Sequence, residues 1–150
     1  MDNFEKSLNQ VLVDTFNSIL KYEETSLKNM LNVPITITET HMIEAIGKQE
    51  NEGATVSTIA SLLGIAMPTA TVAVKKLERK GFIKKTPCEK DGRRAIVVLT
   101  DTGKKIDKAH RLFHEKMVRN ISRQYSDAEK EVLLKAIATL SGFFKAKAEL

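Results

Sequence analysis

The sequence predicts a mainly α chain carrying a small β-ribbon (α+β), and three observations predict it. Apolar residues recur at steps of three and four from Phe4 to Met30, and again beyond Thr100, the spacing of one helix face. Between Gly81 and Thr100 the period drops to two, which is the spacing of a strand. Pro34, Gly64 and Gly81 fall at the junctions between periodic runs, where a chain-breaking residue belongs.

The first helix, Phe4 to Met30, places Phe4, Leu8, Val11, Leu12, Phe16, Ile19 and Leu20 on one stripe. "NVPI" interrupts it at the proline. Thr38 is a suitable N-cap for a second helix running to about Gln49, with Met42, Ile43 and Ile46 inward. "NEGAT" (Asn51 to Thr55) reads as a loop, and "VSTIASLLG" as a short helix capped by Ser57 and closed by Gly64. Pro68 suits the first turn of the next helix, which runs to Lys80 and stops at Gly81.

"FIKKTPC" and "AIVVLT" then read as two strands joined by "EKDGRR", a connection too long for a tight hairpin. A helix begins at Thr100 or Asp101, with Ile106, Ala109, Leu112, Phe113, Met117 and Ile121 on one face. The last helix follows Ser126, and Glu129 three residues on completes a capping box.

This element order divides the chain into three parts. Residues 36–100 have the succession of a winged helix–turn–helix lobe. Residues 1–35 and 101–150 supply helices whose apolar stripes exceed what so small a lobe covers, which predicts dimerisation helices in a homodimer. At 150 residues with 42% hydrophobic and 29% charged residues, the composition is that of a folded globular protein. No apolar run approaches the roughly 18 residues of a membrane span, and the charged start "MDNFEKSLNQ" lacks an export signal. Cys88, the single cysteine, has no internal disulfide partner. A cytoplasmic location with no membrane partner is the expectation.

The net charge of +5 is unevenly spread. Val72 to Lys105 holds 11 Lys/Arg against 4 Asp/Glu, leaving 13 against 15 in the remainder. Positive charge concentrated on one element is the footprint of a polyanion binder. On the helix after Pro68, Ala70, Ala73, Val74 and Leu77 fall on an inner side, and small Ala60 and Ala70 permit a steep helix crossing. Pro68, Thr71, Val72, Lys75 and Arg79 lie opposite, with Thr69 and Lys76 at the edges. Such a face fits the major groove by its amino end: Thr71 and Val72 toward thymine methyls, Lys75 and Lys76 toward phosphates. It lacks the Asn, Gln or Arg that would read bases strongly.

"DGRRAIVVLTDTG" (Asp91 to Gly103) carries D-x-R-x-x-x-V-x-L-T-x-x-G, with Asp91, Arg93, Val97, Leu99, Thr100 and Gly103 at its fixed positions. "LERKGFI" (Leu77 to Ile83) carries L-E-x-x-G-[LYF]-[IV]. Both resemble the wing region of MarR-type regulators, and the likeness extends over the whole chain. It implies a homodimeric bacterial transcription regulator, usually a repressor, bound to palindromic double-stranded DNA operators and modulated by a small effector. It also implies that Asp91 orients the wing and that Arg93 enters the minor groove. Lys90, Gly92 and Arg94 lie beside Arg93 in the same loop, with Lys90 and Arg94 expected on the phosphate backbone.

"ITETHMIEAIGK" and "RLFHEKMVRNIS" further resemble the Gram-positive MarR-type repressors of fatty-acid synthesis genes. That likeness implies an acyl-chain effector in an apolar tunnel lined by Phe16, Met42, Ile46, Phe113 and Met117.

Other chemistry is weaker. His110 and His114 are spaced i, i+4 beside Glu115, but two histidines fall short of a zinc ligand set, so neither a metal nor another cofactor is expected. His41 could join them only through the fold. Acidic pairs such as Glu23–Glu24 are expected on exposed helix faces. Cys88 among Lys84, Lys85 and Lys90 could serve as a redox sensor, although a structural thiol at a strand end is the simpler reading. With no phosphate-binding glycine loop, H-E-x-x-H or C-x-x-C, the chain is not expected to be an enzyme. A winged-helix module for protein–protein assembly is the rival from another class, and it has no need of the basic window.

Overall fold

Asp2 starts the first helix, α1 (Asn3–Leu31), through a reciprocal box: the Glu5 N–H donates to the Asp2 carboxylate and the Asp2 N–H to that of Glu5, both at 2.8 Å. Asn32 ends it in the left-handed region at φ 45°. The computed structural model describes residues 1–49, 53–87 and 95–148. These fall into two compact units, Met1–Phe113 and His114–Leu150.

In the first unit, α1 is followed by α2 (Ile37–Gly47), α3 (Val56–Leu63), α4 (Met67–Arg79), β1 (Ile83–Pro87), β2 (Ala95–Leu99) and the first half of α5 (Asp101–Ser122). Helix α2 is capped by Thr36, not by Thr38 as expected. Thr36 and Glu39 stand in the T-x-x-E relation, and each side chain accepts from the other's N–H, at 3.2 and 2.9 Å. Likewise Thr55, not Ser57, caps α3, because its hydroxyl accepts from the Thr58 N–H at 3.1 Å.

Strands β1 and β2 pair antiparallel, with Ile83 opposite Leu99 and Lys85 opposite Val97. Inside the "NEGAT" segment, Ala54 adds an isolated bridge to Val97, with N–H to O distances of 3.1 and 2.7 Å. The ribbon therefore has a one-residue third edge that sequence period cannot detect. One core joins these parts: Met42, Ile43 and Ile46 of α2, Ile59 of α3, Val74 and Leu77 of α4, Ile83, Val97 and Leu99 of the ribbon, and Ile106 of α5.

The base of the ribbon is locked to α5. The Thr100 hydroxyl donates to the Gly81 carbonyl at 2.7 Å and accepts from the Gly103 N–H at 3.2 Å. Gly81 sits at φ 75°, which a side chain rarely adopts. Gly103 is needed for space: a Cβ there would stand 2.0 Å from the Phe82 carbonyl oxygen.

The second unit holds the rest of α5 and α6 (Asp127–Ala148). The expected Ser126–Glu129 box caps α6, with the Ser126 N–H donating to the Glu129 carboxylate at 2.7 Å. Helix α6 has no buried residue among those described, and Val132, Leu134, Ile137, Phe143 and Phe144 are all more than half exposed. No single helix among the described residues is long and apolar enough to cross a membrane.

Candidate nucleic-acid interface

Helices α3 and α4 are joined by Gly64–Ala66, and their axes turn through 112°. A steep crossing over a three-residue turn is the geometry of a helix–turn–helix. It is reached because Ala60 and Ala70, 5% and 0% exposed, let the two backbones approach. Ala70, Val74 and Leu77 are buried, and Ala73 is half-buried. Pro68, Thr69, Val72, Lys75, Lys76 and Arg79 are exposed. Val72 is a β-branched apolar side chain 68% exposed at the centre of that face. Thr71 is half-buried, and its hydroxyl donates to the Met67 carbonyl of its own helix at 2.9 Å. It thus has its methyl and an acceptor oxygen to offer, with no spare proton. Ala66 at the N-cap gives α4 no side-chain cap, so first-turn N–H groups are left for an anion such as phosphate.

The two central lysines differ. Lys75 has no ion-pair partner among the described residues, whereas Lys76 lies 3.0 Å from Glu39 Oε1. Lys80 lies 2.8 Å from Glu39 Oε2 and donates to the Pro34 carbonyl at 2.9 Å. Burial works to raise the Glu39 carboxyl, but hydrogen bonds from Lys80, the Thr36 N–H and Lys76 outweigh it and hold the group down at about 2. Glu39 therefore ties the start of α2 to the end of α4. Half of the Lys76 side chain is exposed, and its charge is shared with the buried Glu39 carboxylate. Lys90, Asp91, Gly92, Arg93 and Arg94 lie outside the described residues, as does Cys88.

The residues expected to line an acyl tunnel differ in burial within their own units. Met42 and Ile46 are core, 2% exposed each, while Phe16 is 64% exposed. Phe113 is buried against Tyr22, with ring centroids 5.1 Å apart. Met117 belongs to the second unit and is half-buried there. An open cleft of about 390 Å³ does exist beside the ribbon, lined by Ile46, Gln49, Gly53, Lys84, Val98, Leu99 and Lys104. Lys84 and Lys104 make it cationic.

A second polar cluster was missed. Glu23, expected on an exposed face, is 2% exposed, because it occupies an apolar position of the α1 stripe with Leu27 one turn on. Its Oε1 lies 3.1 Å from His41 Nε2 and 2.7 Å from His110 Nε2. A glutamate inside an apolar period was the available signal.

The MarR family model matches residues 35–95, from the end of the α1–α2 connection into β2. FabT of Streptococcus pneumoniae, solved in complex with DNA, superposes with a TM-score of 0.86 and 32% identity, over 95% of this chain and 98% of that one. This chain belongs to the MarR family. The transcriptional regulator ZitR of Lactococcus lactis is 26% identical over 142 residues, covering 89% of this chain and 96% of its own. The Staphylococcus aureus MepR–DNA complex has the same fold, at a TM-score of 0.72 and 21% identity over 89% and 94% of the two chains.

The match to FabT agrees with the subgroup resemblance in α2 and α5. The MarR wing signature also acquires physical reasons at four of its fixed positions. Val97 and Leu99 are core, Thr100 caps α5 and braces Gly81, and Gly103 passes the Phe82 carbonyl.

Proposed function

We propose that the chain is a DNA-binding transcription regulator that acts as a homodimeric repressor on palindromic operators. The observation that carries this is the outward face of α4, which offers an uncapped helix start, an exposed Val72 and the cation Lys75 to a groove. The solved DNA complexes of FabT and MepR, proteins of the same fold, support it. Each α4 enters a major groove by its amino end, and Lys90, Arg93 and Arg94 of the wing reach the flanking backbone and minor groove. Residues 36–100 form the DNA-reading lobe. Residues 1–35 and 101–150 form the dimerisation helices, and two sets of exposed apolar side chains support that role: Phe4, Val11 and Phe16 on α1, and Val132, Leu134, Ile137, Phe143 and Phe144 on α6. Twofold symmetry places half-sites about 34–36 Å apart. The effector is a small molecule, an acyl chain by likeness to the fatty-acid subgroup, and native mass spectrometry of freshly purified protein would reveal it.

Fluorescence anisotropy against promoter-derived and random duplexes tests the proposal. Binding to neither would leave protein–protein assembly as the better account. Lys75→Ala should weaken all duplexes alike and lower the slope of log affinity against log salt by about one. Lys76→Ala should change the slope less, because Glu39 already shares its charge. Arg93→Ala should weaken A·T-flanked sites selectively, since a narrow A·T minor groove attracts arginine. Unchanged operator affinity at physiological salt would remove Arg93 from the minor groove.

A further inference from the structure

The cleft of about 390 Å³ beside the ribbon is not used by the outward face of α4. Its walls come from three places: Ile46 and Gln49 at and just beyond the end of α2, Lys84, Val98 and Leu99 of the ribbon, and Lys104 in the first turn of α5. Backbone hydrogen bonds fix these walls. The Gly53 N–H donates to the Gln49 carbonyl at 2.8 Å, Ala54 bridges to Val97, and the Lys104 N–H donates to the Thr100 carbonyl at 2.8 Å. Gly53 sits at φ 69°, and a Cβ there would stand 2.6 Å from Ile96 Cδ1, so this segment lies directly against the ribbon. The cleft is therefore preformed, and its volume falls at the small end of the roughly 300–1,000 Å³ of small-molecule sites.

Its positive charge is uncompensated. Successive strand residues face opposite sides of a ribbon. Lys85 pairs with Glu78 of α4 at 3.1 Å, so Lys84 points to the other side, together with Val98, its cross-strand neighbour. Lys48, Lys76, Lys80 and Lys85 each have a carboxylate partner. Lys84 and Lys104 have none among the described residues, and both line the one cleft. Two ammonium groups facing a shared space repel each other, and an anion between them removes that repulsion. Beneath them, Ile46, Val98 and Leu99 form an apolar floor, with Ile46 and Leu99 anchored in the core.

We propose that this cleft binds a small organic phosphate monoester. Such a group carries close to two negative charges at neutral pH, which matches two ammonium groups. Lysine is a point charge with rotatable donors and suits a tetrahedral phosphate, whereas a planar carboxylate is matched by the arginine fork. The Gln49 side chain adds an amide donor, and the apolar floor covers the organic part. Because α2, the ribbon and α5 all contribute, the bound molecule joins three elements of the first unit.

The probes are phenyl phosphate, inorganic phosphate and benzoate, each titrated calorimetrically into the DNA-free full chain in chloride buffer at neutral pH. Phenyl phosphate should saturate at one per chain. Inorganic phosphate, which has no ring for the apolar floor, and benzoate, with about half the charge, should each bind more weakly. Lys84 and Lys104 are exposed, so Lys84→Ala and Lys104→Ala leave the core intact. Each should weaken phenyl phosphate by about tenfold or more, whereas Lys85→Ala, on the opposite face, should leave it unchanged. Absence of saturable phenyl phosphate binding, equal binding by wild type and Lys104→Ala, or benzoate binding as tightly as phenyl phosphate overturns the proposal. So does a lowered salt slope for duplex binding in the Lys84→Ala, Lys104→Ala double variant when wild type binds no phenyl phosphate, a result that assigns both lysines to the DNA backbone.

Discussion

Gly103→Ala is expected to be strongly destabilising. Its added methyl would sit 2.0 Å from the Phe82 carbonyl oxygen and 3.4 Å from the Leu99 Cβ. The first neighbour is backbone and cannot rotate away, so α5 must move off the ribbon. That motion strains both Thr100 hydrogen bonds, to Gly81 and from Gly103. Overpacking costs about 1–3 kcal/mol where side chains can adjust, and a backbone clash belongs at or above the upper end. A loss of about 3 kcal/mol lowers the melting temperature of a chain this size by roughly 6–12 °C. Calorimetry of the purified variant measures it. A melting temperature within about 2 °C of wild type would show that α5 is not held against Phe82 as described.

Glu39→Ala is expected to loosen the end of α4 from the start of α2. The carboxylate accepts from the Thr36 N–H and pairs with Lys76 and Lys80. Its removal uncaps α2 and leaves Lys80, the more buried lysine, with the Pro34 carbonyl. Breaking a buried pair from one side costs about 3–5 kcal/mol, and solvent access at Lys76 reduces this to about 2 kcal/mol. The pH dependence carries the same signature. The folded-state value near 2 lies below the ordinary 4.5, so the stabilisation is complete above about 4.5 and is lost as pH falls toward about 2. Urea melts across that window should slope in the wild type and flatten in Glu39→Ala. Equal slopes would mean that other carboxylates govern acid unfolding.

Much of the fold was legible because its signals are local. The α4 face was readable from a 100° step per residue, and Ala70, Val74 and Leu77 are buried as that step requires. The Ser126–Glu129 box and the breaks at Gly64 and Gly81 were readable from residue type. Two caps were misplaced by short distances, Thr38 for Thr36 and Ser57 for Thr55, since each helix start offers several hydroxyls and only the backbone chooses among them. The bridge from Ala54 to Val97 left no periodic trace because one residue has no period.

The candidate site divides along the same line. Which face of α4 looks outward, and where positive charge concentrates, follow from spacing and composition. That Lys76 shares its charge with Glu39, and that Phe16 is exposed while Met42 and Ile46 are core, do not. Glu23 shows the reason most plainly: a glutamate in an apolar stripe has no neighbour in sequence to explain it. The sequence by itself determined the element order, the helix–turn–helix face and the MarR signature, because these depend on residues within a few turns of one another. Only the tertiary structure decided that Glu23 meets His41 and His110 and that Gly103 meets Phe82, because those encounters depend on how distant segments pack.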